Sequence, residues 1–78
     1  MPQSLNLIKD KINELPNNIE AEQSVIGSIL LTNEIFDEIS LIISSKNFYD
    51  PMHQKIFGAI ESLIYKGMLA NPITLKNH

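Results

Sequence analysis

Asp50-Pro51-Met52-His53-Gln54-Lys55-Ile56-Phe57-Gly58-Ala59-Ile60-Glu61-Ser62-Leu63-Ile64-Tyr65-Lys66-Gly67 is the stretch that decides the fold. Asp50 is an N-cap residue, and Pro51 follows at the first helical position, where a missing N–H costs nothing. Met52, Ile56, Phe57, Ala59, Ile60, Leu63 and Ile64 recur at helical spacing and make a broad apolar face, with Gln54, Gly58, Glu61, Ser62 and Tyr65 opposite. Lys66 then Gly67 supply a cation and a glycine where a helix ends. The pattern predicts one amphipathic helix over 51–66 whose apolar face other elements must cover.

Upstream, residues 17–31 predict a second helix. Asn17 and Asn18 are both N-cap candidates, Asn17 with Glu20 forms a capping-box pattern, and Ala21, Val25, Ile26, Ile29 and Leu30 supply an apolar stripe. Ser24, Gly27 and Ser28 form an adjoining row of small side chains, so Gly27 is expected to pack against another helix; a mid-helix glycine costs about 1 kcal/mol and usually has a packing reason. Thr32-Asn33 breaks this helix. Ile35, Phe36, Ile39, Ile42 and Ile43 predict a third over 34–43, and 44–49 a turn with room for one short helical turn. After Asn71-Pro72, Thr74 is a candidate cap for a helix that the sequence carries only four residues further. Residues 1–15 read as an N-terminal extension with a short one-sided helix at 4–15, capped by Ser4 and ended by Pro16. The fold class is all-α, a small helical bundle.

Composition narrows the function classes. The 78 residues hold no cysteine, and the two histidines, His53 and His78, are far apart, so neither a disulfide nor a zinc ligand set is expected. No apolar run exceeds three residues, which removes a membrane span and a signal peptide and makes the cytoplasm the expected compartment. The net charge is −3, with residues 16–50 at −5 and 51–78 at +2, and there is no arginine. A duplex-binding surface needs several cations and favours arginine as base reader, so strong direct nucleic-acid binding is not expected.

Four sets of residues are of the types that carry chemistry. Gly27, Gly58 and Gly67 are isolated and build no phosphate-cradling loop. Asp50 and His53, three apart, have the residue types of an oriented general base, but a helix cap beside a first-turn histidine is the simpler reading. Glu20 with Glu22, and Glu34 with Asp37 and Glu38, read as solvated charge in first helical turns, and Phe48-Tyr49 as a core anchor of its turn. No catalytic, cofactor-binding or metal residue is assigned.

Leu15-Pro16-Asn17-Asn18-Ile19-Glu20-Ala21-Glu22-Gln23-Ser24-Val25-Ile26-Gly27, followed by Phe48-Tyr49, His53, Ile56-Phe57 and Pro72-Ile73-Thr74-Leu75, resembles the N-terminal domain of DnaB-type bacterial replicative DNA helicases. The resemblance implies a helical domain on a hexameric ring that unwinds duplex DNA with ATP and magnesium during replication. It implies self-association with other N-terminal domains, and docking of primase and a helicase loader through the fuller domain. The ATP-hydrolysing domain is not in this sequence, so the chain alone is expected to be no enzyme and to hold no cofactor. On this reading 16–78 is an incomplete, truncated helicase N-terminal domain. A stand-alone helical adaptor or inhibitor of such a domain is the alternative. A small helix-turn-helix DNA binder is disfavoured by the charge and the missing arginine.

Overall fold

The computed structural model describes residues 10–15 and 18–78, which form helices and turns with no strand among them. Of the expected 4–15 helix, residues 10–12 are helical and 13–15 a turn, with Ile12 buried in the core; Ser4 and Asn17, the other expected caps, lie outside the described residues.

Helix α1 spans Ile19–Leu31. Asn18 is its N-cap: the extended backbone at φ −132° lets Oδ1 accept the Ala21 amide at 3.0 Å. Ala21, Val25, Ile26 and Ile29 face inward. Gly27 does not pack as expected, because a Cβ there would meet nothing within 4 Å.

The expected 34–43 helix is shorter than its apolar pattern. A 3₁₀ turn, Asn33–Ile35, leads into α2, Phe36–Ile39. Beyond Ile39 the ladder tightens: Leu41 N–H bonds Glu38 O at 3.2 Å, Ile42 N–H bonds Ile39 O at 2.9 Å, and Ser40 Oγ donates to Asp37 O at 3.1 Å. Serine back-bonding and β-branched isoleucines both weaken a helix end. The stripe still buries Ile35, Phe36, Ile39 and Ile43, while Ile42 turns outward. A second 3₁₀ turn, Ser45–Asn47, is closed by a capping box in which the Ser44 amide donates to Asn47 Oδ1 at 2.8 Å.

Helix α3 spans Pro51–Tyr65, capped by Asp50, whose Oδ1 accepts the Met52 amide at 2.8 Å. Phe57, Ile60 and Leu63 are buried and Ile56 and Ile64 partly so, but Met52, expected on the apolar face, is exposed. Gly67, at φ +78°, ends the helix in a Schellman turn: its amide bonds Ile64 O and the Met68 amide bonds Leu63 O, both at 2.9 Å. Helix α4, Pro72–Lys76, begins three residues earlier than expected. Pro72 occupies its first turn, so the cap is Asn71, whose Oδ1 accepts the Ile73 and Thr74 amides. Thr74 is not the cap but the third helical residue, its Oγ1 accepting the Asn71 amide at 2.9 Å.

Phe57 centres the core, 5.5 Å from Phe36 and 5.1 Å from Phe48 between ring centroids, both tilted. Around this trio pack Val25, Ile29, Ile39, Ile60, Leu63 and Ala70.

Candidate functional site

Two features stand out from the packing. One is inside. Glu22 is fully buried, so it is not the solvated first-turn charge expected of it. It lies on the same stripe as Val25, Ile26 and Ile29, which carries it under the 48–50 connection. Its Oε2 accepts the Tyr49 amide at 2.6 Å, and its Oε1 accepts the Asp50 amide at 3.2 Å. His53 Nδ1 donates to the same Oε1 at 2.7 Å. Burial by itself pushes the Glu22 carboxyl up, but the His53 hydrogen bond, the two amides and the charge on His53 outweigh it and hold the group below its ordinary value. Phe48 closes the node, its ring edge-on to His53 at 6.4 Å.

A carboxylate that orients an imidazole is also the arrangement of a general base. Here the carboxylate is sealed and His53 is 8% exposed, and no metal-binding group of three or more His, Cys, Asp or Glu side chains occurs among the described residues. Asp50 does not orient His53; its carboxylate caps α3. The node does mechanical work: one side chain of α1 fixes the entry to α3. Asn33 acts similarly at the other end, donating to Ile29 O and Ala70 O and accepting the Ala70 amide at 2.8 Å. Neither role was read from the sequence. For Glu22 the available signal was an acid at an apolar-stripe position, spaced i, i+3, i+4 and i+7 with Val25, Ile26 and Ile29.

The second feature is outside. Leu31, Leu41, Tyr49, Met52, Tyr65, Leu69 and Ile73 are large apolar side chains left more than half exposed. Phe48-Tyr49 therefore divides: Phe48 anchors the core and Tyr49 faces outward. Glu34, Asp37 and Glu38 are exposed on the outer side of the segment whose inner side is Ile35, Phe36 and Ile39. Gly27, Asn18, Asp50 and Thr74 are not brought together; each acts within its own element. Exposed apolar side chains of this size are the usual material of an interaction surface where they cluster.

The family model for the DnaB-like helicase N terminal domain matches residues 14–78. The replicative DNA helicase DnaB of Rickettsia felis is 46% identical over 63 residues, covering 81% of this chain and 13% of the relative. That of Rickettsia prowazekii is 39% identical over 80 residues, 91% of this chain and 16% of the relative. That of Buchnera aphidicola subsp. Baizongia pistaciae is 46% identical over 66 residues, 85% and 14%. The chain thus spans a small part of the length of the curated relatives it matches. No solved structure matches it.

Proposed function

The chain belongs to the DnaB-like helicase N-terminal domain family, and from that premise we propose that it is the assembly and partner-docking part of a replicative DNA helicase. The whole protein unwinds duplex DNA with ATP hydrolysis in the cytoplasm. Its N-terminal domains associate with one another, and the fuller domain receives primase and the helicase loader. The observation that carries this reading is the match over residues 14–78, joined to an exterior of exposed apolar side chains. Among the described residues no helix is long and apolar enough to cross a membrane.

ATP and magnesium belong to the rest of such a protein, because the residues here do not fit them. Gly27 and Gly58 lie within helices, and the amide of Gly67 is used in the α3 terminus. The expected outcome of titrating ATP and magnesium into the chain is therefore no saturable change in its amide chemical shifts.

The role itself is tested by sedimentation of the chain alone and mixed with the full-length Rickettsia felis helicase. Concentration-dependent self-association and co-sedimentation with the helicase are expected. A chain that stays monomeric and never travels with the helicase would remove the assembly reading.

A further inference from the structure

A shallow cleft of about 400 Å³ runs between the 33–37 segment and the α3–α4 corner, lined by Asn33, Glu34, Asp37, Ile64, Met68 and Leu69. Its walls differ in chemistry. Glu34 and Asp37 are exposed carboxylates on one side. On the other, Leu69 is 63% exposed, Met68 49%, and Ile64 is half-buried against the core. The walls are tied together: Asn33 spans them with its hydrogen bonds to Ile29 and Ala70, and Gly67 fixes the turn that carries Met68. The cleft is therefore preformed, which lowers the cost of ordering on binding. No lysine lies between Lys11 and Lys46, and among the described residues neither Glu34 nor Asp37 forms an ion pair.

We propose that this cleft binds a basic amphipathic segment of another protein. An apolar side chain of the partner rests on Met68 and Leu69, and a lysine or arginine lies against Glu34 and Asp37. The apolar wall supplies affinity; the rim carboxylates supply selection and encounter rate, as exposed charges do. A second copy of this chain is a poorer occupant, since each carries net −3 and like-charged copies repel. This deepens the docking role proposed above and rests on it.

The test titrates the 78-residue chain with a short helical peptide of leucine and lysine, and with its leucine and glutamate counterpart, following amide shifts. The lysine peptide is expected to give saturable shifts centred on Glu34, Asp37, Met68 and Leu69, and the glutamate peptide none. Raising salt from about 0.05 to 0.5 M should weaken binding about tenfold. Glu34→Lys with Asp37→Lys should weaken it by at least about tenfold, and Leu69→Ser should also weaken it, while Glu20→Lys should change little. Equal loss with Glu20→Lys, equal binding of the glutamate peptide, or shifts centred elsewhere would each overturn the cleft. Shifts at the cleft on concentrating the chain without peptide would make a second copy the occupant and overturn it too. Sedimentation of the same samples separates the two readings: self-association without peptide binding removes the cleft and leaves the assembly role standing.

Discussion

A buried carboxylate is expensive unless its oxygens are occupied, and Glu22 has three donors. Glu22→Ala removes all of them and leaves two amides and an imidazole N–H facing apolar surroundings. Loss of one partner of a buried pair costs about 3–5 kcal/mol, most of the stability expected of so small a domain. Glu22→Gln keeps the shape but sets an amide NH₂ against at least one donor, a loss of about 1–3 kcal/mol. The charge has a pH signature. The folded group is held below its ordinary 4.5, so the unfolded chain takes up the proton first as pH falls. The stabilisation is complete above about 4.5 and fades as pH drops towards the lowered folded value. Urea midpoints of the parent and Glu22→Gln should therefore converge on acidification. A gap that stays constant would show that ionised Glu22 is not what holds the 48–50 connection.

At the scale of the element, the helix ends were legible because their signals are local. Asp50-Pro51 and Lys66-Gly67 bound α3, and Asn18 caps α1. What was not legible depends on neighbours distant in sequence. Glu22 looks like dipole-complementing charge until the 48–50 connection arrives above it, and Asn33 looks like a breaker until Ala70 reaches it. Thr74 failed as a cap for a local reason that was available, the proline at the first turn of α4. The glycines separate helix propensity from backbone conformation. Added Cβ atoms at Gly27 and Gly58 meet open space, so Gly27→Ala and Gly58→Ala should each stabilise by up to about 1 kcal/mol. Gly67→Ala forces an L-residue to φ +78° and should destabilise by about 1 kcal/mol. Thermal unfolding of the three variants checks the order. A destabilised Gly27→Ala would mean that something outside the described fold does close on that helix.

At the scale of the molecule, two forces between copies oppose each other. Exposed Leu31, Leu41, Tyr65 and Ile73 favour association, and net −3 opposes it. Salt screens the repulsion within a Debye length of about 8–10 Å and leaves apolar contact intact, so self-association should strengthen with ionic strength. It should strengthen again as pH approaches the isoelectric point near 5.1, where net charge vanishes. The folded Glu22 carboxyl is held below 4.5 and stays ionised near the isoelectric point, so its node is intact where association is expected to peak. Binding of a cationic segment in the Glu34–Asp37 cleft carries the opposite salt dependence, since screening removes its attraction. Sedimentation of the chain across salt at neutral pH, beside the peptide titration in the same buffers, reads both slopes. If self-association instead weakens with salt, copies meet through the acidic 16–50 half of one against the basic 51–78 half of another. The exposed apolar side chains would then be bystanders to assembly.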